Sequence, residues 1–264
     1  MKNIIVVTGA SSGMGKDFVK QIEVKEKVDE IWVIARRKDR LLALKEQIKT
    51  PICPIVIDLS DMEQIKTYAQ KLDEEKPNVK ILANASGYGK FDHCENIPLE
   101  TNFNMVDLNC KAVMAMISYT LPYMDKGAKI INFASCSAFQ PVPYINVYAS
   151  TKAFLLSYSR ALNVELKYRD ISVTAVCPFW TKTEFFDRAI VTDKKEVVVN
   201  YSALYDSEKV VERAIADAYK KRDISVYGGK NKFQRLLVKL FPHKFVMSVW
   251  MNQQKLDGTP DIRK

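Results

Sequence analysis

Thr8-Gly9-Ala10-Ser11-Ser12-Gly13-Met14-Gly15 decides the fold. Ile4-Ile5-Val6-Val7 precedes it, a short β-branched run that reads as a strand buried on both faces, as in a parallel sheet. A helical stretch from about Lys16 to Val24 follows. Glycines let the chain turn tightly and approach a pyrophosphate, and the helix start offers free N–H groups and a positive dipole end. A glycine-rich turn alone is weak evidence. Its position between the first buried strand and the first helix makes it a dinucleotide-binding candidate. The residues so marked are Gly9, Ser11, Ser12, Gly13, Met14 and Gly15.

Outward from this turn, strand and helix patterns alternate. Ile31 to Ile34 reads as a second buried strand, Asp39 to Ile48 as a helix and Ile55 to Ile57 as a third strand. A helix over Asp61 to Glu75 and a strand over Val79 to Ala83 come next. Helical segments from about Pro98 to Met124, a strand at Lys129 to Phe133, a helix from about Asn146 to Tyr168 and a strand at Ser172 to Val176 continue the pattern. A helix near Ser207 to Lys221 and a strand near Ile224 to Tyr227 close it. Such alternation predicts an α/β fold with a doubly wound, mostly parallel sheet. The chain has 264 residues, enough for one large domain over 1–229 plus a helical C-terminal extension over 230–264.

The end of the second strand bears on cofactor choice. An acidic residue there binds the ribose 2′-hydroxyl of NAD, whereas an arginine accommodates the 2′-phosphate of NADP. Here the sequence is Ala35-Arg36-Arg37-Lys38, with no carboxylate before Asp39. Arg36 is the first candidate phosphate ligand and Arg37 the second, which points to NADP(H).

Tyr148 and Lys152 are four residues apart and share one helical face. A phenol titrates near about 10, too high for proton transfer at neutrality, and a nearby ammonium stabilises the phenolate. Tyr-x-x-x-Lys is common by chance. Its weight comes from Ser135, at the end of the fifth strand, where an open parallel sheet presents its ligand crevice.

With these residues in place, the chain over about residues 3 to 228 resembles the compact short-chain dehydrogenases, whose fold is Rossmann-like. The Gly-x-x-x-Gly-x-Gly spacing is that family's glycine motif. Asn84-Ala85-Ser86-Gly87 matches its Asn-Asn-Ala-Gly element at the first Asn and the Gly. Asn109, Ser135, Tyr148 and Lys152 match its catalytic tetrad. The resemblance implies reversible hydride transfer between NADP(H) and a carbonyl or alcohol. Tyr148 would be the acid/base and Ser135 would bond the reacting oxygen. Lys152 would tune the phenol and hold the nicotinamide ribose. Asn109 would hold a bent helix and a water leading protons out. Asp58 and Leu59 would meet the adenine, and Asn84, Ala85, Pro178, Thr181 and Thr183 would complete the cofactor contacts. The helices around Met105 to Tyr123 and Val147 to Leu166 pair across a two-fold axis in that family, which implies a homodimer or homotetramer.

After the sixth strand the family pattern Pro-Gly is replaced by Pro178-Phe179. Phe179 takes a positive φ only at a cost, so a changed backbone or a narrowed pocket is expected there. The segments that would form the substrate pocket carry Tyr88, Phe91, Phe139, Val142, Tyr144, Phe179, Trp180, Phe185 and Phe186. Of these, Tyr88, Phe139, Tyr144, Phe179, Trp180 and Phe185 are the principal candidates. They imply a bulky, mostly apolar ketone or secondary alcohol, such as a hydroxysteroid.

The net charge is +9, and residues 230–264 hold eight Lys or Arg against two Asp. The main body is therefore close to balance, and no nucleic-acid partner is expected. Phe233, Leu236, Leu237, Leu240 and Phe241, then Phe245, Val246, Val249 and Trp250, follow helical spacing broken at Pro242. The simplest expectation is a helical pair packed on the body or a neighbouring subunit. Contact with an anionic membrane is the less favoured alternative. Five cysteines without CxxC spacing suggest reduced thiols in a cytoplasmic protein. With only His93 and His243, no metal centre is expected. No run is long enough for a membrane span, and the apolar run after Met1-Lys2 is too short for a signal peptide. A non-catalytic NADP-binding regulator is the rival from another class, and an intact Ser135, Tyr148 and Lys152 speak against it.

Overall fold

The computed structural model describes residues 1–190, 196–201 and 203–256. Its centre is a seven-stranded parallel sheet of order β3-β2-β1-β4-β5-β6-β9. The strands are β1 (Asn3–Thr8), β2 (Glu30–Ala35), β3 (Ile52–Val56), β4 (Asn78–Asn84), β5 (Lys129–Phe133), β6 (Ser172–Val176) and β9 (Ile224–Ser225). A separate pair joins β7 (Thr181–Lys182) to β8 (Tyr205–Asp206).

The period-two geometry of a strand divides β1 between two cores. Ile4 and Val6 enter one cluster, with residues of α3 (Met62–Glu75), α5 (Ala112–Thr120) and α6 (Asn146–Glu165). Ile5 and Val7 enter the other, with α1 (Gly13–Lys25), α2 (Lys38–Ala43) and α8 (Ser207–Tyr219). All four are fully buried, each worth roughly 1.5–3 kcal/mol against exposure. Both sheet faces are thus covered by helices, as a parallel sheet requires.

Three elements differ from the sequence pattern. The helix expected over Asp39 to Ile48 is α2 followed by a 3₁₀ turn at Leu44–Glu46, which still buries Leu41 and Leu44. The stretch from Pro98 to Met124 divides into α4 (Leu99–Val106), a π segment at Asp107–Lys111, α5 and a 3₁₀ turn containing Pro122. β3 begins three residues earlier than expected and includes Pro54, tolerated because β3 is an edge strand.

The order reverses between β1 and β4, and the crevice at that switch point lies beyond the strands' C-terminal ends. Thr8, Asn84, Phe133 and Val176 end the strands bordering it. Behind α7 (Phe185–Ala189) and β9, the extension forms α9 (Gly229–Leu240) and α10 (His243–Gln254), broken at Pro242. Residues 257–264, including Asp257, Asp261, Arg263 and Lys264, lie outside the described part.

Candidate active site

The glycine turn is forced by contact. Gly9 has φ +67°, and an added Cβ would lie 2.8 Å from the Ser86 nitrogen. At Gly15 it would lie 2.3 Å from the Gly9 carbonyl oxygen, so the start of α1 presses directly on the turn. Ser12 is the N-cap, yet no side chain caps the helix and no acid occupies its first turn. The first N–H groups of α1 therefore suit an anionic group such as a pyrophosphate. Met14 and Ala85 face the adjoining cavity. Thr8 Oγ1 accepts from the Ala85 and Ser86 nitrogens, both at 3.1 Å, and the Asn84 amide donates to Asn132 at 2.9 Å.

The basic end divides its work. Arg37 donates to Ser11 at 3.1 Å, to Ser12 at 2.7 Å and to Glu184 at 2.8 Å. Arg36 instead reaches Asp58 at 3.3 Å. Partial burial works against the Asp58 carboxylate, but bonds from Ser60 and the Arg36 charge outweigh it and hold its pKa below the ordinary value. Leu59 is in the core, which leaves only its backbone for a ligand.

Tyr148 and Lys152 stand on α6, facing Ser135 at the end of β5. All three are buried. Burial pushes the Tyr148 phenol up to about 12, and its hydrogen bond with Ser135 opposes the rise. Lys152 is driven down to about 8 by burial. Its Nζ lies 5.7 Å from the Tyr148 ring centre and donates to the Phe133 carbonyl at 2.8 Å. Desolvation is the largest influence on the phenol in this arrangement and raises its pKa. Ser135 Oγ also accepts from the Ser137 nitrogen at 3.1 Å, fixing the turn after β5.

Asn109 lies in the π segment and is fully buried. Its Oδ1 accepts from the Tyr88 nitrogen at 3.1 Å, and its Nδ2 donates to the Tyr88 carbonyl at 2.9 Å and to Thr151 at 3.0 Å. The widened turn is where this side chain leaves the helix to clamp the loop after β4.

A cavity of about 450 Å³ opens over Ser135 and Tyr148. Phe179, Trp180, Phe185, Phe186 and Val142 line it, as do Pro178, Thr181 and Thr183. Tyr88, Phe139 and Tyr144, expected beside it, do not line it. Tyr88 is buried with its hydroxyl on Asn104 at 2.9 Å and Arg188 stacked 3.3 Å from its ring centre. Phe139 turns toward Arg235, and Tyr144 packs edge-on against His93. Phe91 stands behind the wall, touching the rings of Tyr148, Trp180 and Phe185. Phe179 adopts no positive φ, so the missing glycine brings no backbone strain there.

The sequence alone did not mark Leu237, Val238, Phe241, Val246 and Trp250 as cavity residues, yet α9 and α10 supply that side of it. Trp250 is anchored by donating to the Pro143 carbonyl at 3.1 Å. The helical spacing of the tail was visible, but its docking place needed the fold. Glu184 was also missed. It joins Arg37 to Arg40, at 2.5 Å, and both arginines hold its carboxyl below the usual range.

The short chain dehydrogenase family model matches residues 3–194. Serine 3-dehydrogenase of Rhizobium radiobacter is 30% identical over 190 residues, 70% of this chain and 74% of that protein. Hydroxysteroid dehydrogenase-like protein 1 of Gallus gallus is 30% identical over 215 residues, 78% of this chain and 63% of that protein. Among solved structures, a short-chain dehydrogenase from Sphingobium yanoikuyae in complex with NADPH aligns with a TM-score of 0.76 and 22% identity, covering 99% of this chain and 100% of that one. The order β3-β2-β1-β4-β5-β6-β9, the glycine turn and the matched sequence lead to one assignment: the chain is an oxidoreductase of the short-chain dehydrogenase family.

Proposed function

We propose that this protein interconverts a bulky, mostly apolar ketone and its secondary alcohol with NADP(H), a hydroxysteroid or similar ring compound being the fitting class. The observation that carries this is the position of Ser135 and Tyr148 in the wall of a large cavity otherwise lined mainly by aromatic and aliphatic side chains. Arg37 on Ser11 and Ser12, with no acid at the end of β2, supports NADP(H) over NAD(H). A bound nicotinamide supplies or accepts the hydride.

In reduction Tyr148 Oη donates its proton to the carbonyl oxygen while Ser135 Oγ bonds the same oxygen. The Lys152 ammonium then stabilises the phenolate and holds a ribose hydroxyl. Asn109 fixes the Tyr88 backbone and, through Thr151, the base of α6, which keeps the proton-exit side of the site in register. Oxidation runs the same steps backward.

Self-association belongs to the same proposal. Phe103, Val106, Met114 and Phe154 leave exposed apolar surface on α4, α5 and α6, suited to a two-fold helix pairing. The five free cysteines suit a cytoplasmic setting. The deciding experiment follows NADPH absorbance with a panel of steroid, acyl and cyclic ketones. Tyr148→Phe should abolish turnover and retain NADPH binding. Turnover by that variant at a rate near wild type would refute the assignment.

A further inference from the structure

The extension has its amphipathic face reversed. In α9, Asn231 and Val238 are buried against the body, whereas Phe233, Leu236 and Leu240 point the opposite way. They are 61%, 52% and 69% exposed. A surface helix normally turns its apolar stripe to the core. Phe241, which caps the C-terminus of α9, and Phe245 and Val249 of α10 are exposed as well, and these three also line the catalytic cavity. The exposed row therefore runs to the rim of that cavity.

Charge identifies the occupant. Between Asp223 and Asp257 there is no acidic residue, while Lys230, Lys232, Arg235, Lys239, Lys244 and Lys255 are basic. Lys232 and Lys239 flank the α9 stripe on one side and Lys230 on the other, all exposed. Arg235 turns inward, over Phe139. A second copy paired two-fold through this face would press lysines against lysines. An apolar stripe edged by cations matches acyl chains beneath anionic headgroups. Among the described residues no helix is long and apolar enough to cross a membrane.

We propose that α9 and α10 dock on an anionic lipid surface, with Phe233, Leu236 and Leu240 in the acyl boundary and the flanking lysines on headgroups. This sets the cavity rim at the lipid, so that an apolar carbonyl compound enters from the bilayer. Entry by that route rests on the proposed function; the docking itself does not.

The test is sedimentation of the full chain with phosphatidylcholine vesicles, with and without phosphatidylglycerol. Binding should require phosphatidylglycerol and fall with salt. Lys232→Gln with Lys239→Gln should weaken it about thirtyfold. Phe233→Ser, Leu236→Ser and Leu240→Ser together should weaken it about a hundredfold. These positions are outside the catalytic cavity, and unchanged circular dichroism and melting establish folding. No binding to the anionic vesicles, or binding that neither variant reduces, overturns the proposal. So does a fall in solution mass in the serine variant, which would assign the stripe to a second copy. Loss of turnover with vesicle binding intact would defeat the redox assignment and leave the docking in place.

Discussion

Arg37 and Glu184 pair at 2.8 Å across the cofactor groove, 147 residues apart in sequence. Arg37 is also bonded to Ser11 and Ser12 of the glycine turn. Its guanidinium thus joins a carboxylate of the loop after β7 to the glycine turn.

Glu184→Gln removes the competing anion. Because the pair is partly exposed, the effect is modest, and NADPH should bind about three- to tenfold tighter with NADH unchanged. Fluorescence titration of both nucleotides checks this. Equal gains for both would mean that Glu184 acts through loop packing. In the same assay Arg37→Ala should cost NADPH more than Arg36→Ala does, because Arg37 is held on the glycine turn while Arg36 turns to Asp58.

The two shifted groups set the pH profile of reduction. Tyr148, held up to about 12, keeps its proton throughout the neutral range. Lys152, at about 8, loses its own first. kcat/KM for ketone reduction should therefore be flat below pH 8 and decline above it. A profile level to pH 10 would remove the ammonium from the reduction step.

Lys152 also has a cost to stability. Its folded pKa lies below the unfolded value of 10.5, so the folded state resists protonation and loses stability as pH falls through about 8. The shift corresponds to about 3 kcal/mol at most. Lys152→Met should abolish turnover yet raise the unfolding free energy at pH 7 by about 1–3 kcal/mol, less what the Phe133 carbonyl forfeits as an acceptor. The advantage should vanish as pH rises from about 8 to 10.5. Urea melts at both ends of that range decide it; a variant weaker than wild type at pH 7 contradicts the buried-charge account.

How far the sequence reached depended on the range of each interaction. The glycine turn and the Tyr148–Lys152 spacing are local, and so are visible in a string of residues. β1 is legible because Ile4 to Val7 must satisfy two cores at once. The bend at Asn109 was legible only through the family resemblance, since Asn109 bonds the Tyr88 backbone 21 residues away and that contact leaves no local signal. Aromatic content near the crevice could not separate Trp180, which lines the cavity, from Tyr88, which Arg188 covers. The tail showed its stripe at once, but only packing on the body reveals that the stripe faces outward. Pairings across many residues, such as Arg37 with Glu184, leave no periodic trace.

The proposed self-association and the proposed lipid docking would use different faces, and one measurement separates them. Phe154 is exposed on α6 and stacks on Tyr158 with ring centres 5.8 Å apart. Phe154→Arg places a charge where two copies of α6 would meet, and a like-charge pair at a two-fold axis has no escape. Its mass by light scattering should fall to that of a single chain, while vesicle binding persists with lower avidity because one stripe replaces two. The serine exchanges on α9 should do the reverse and leave the mass unchanged. If Phe154→Arg retains the wild-type assembly, the α6 face is not where the copies meet.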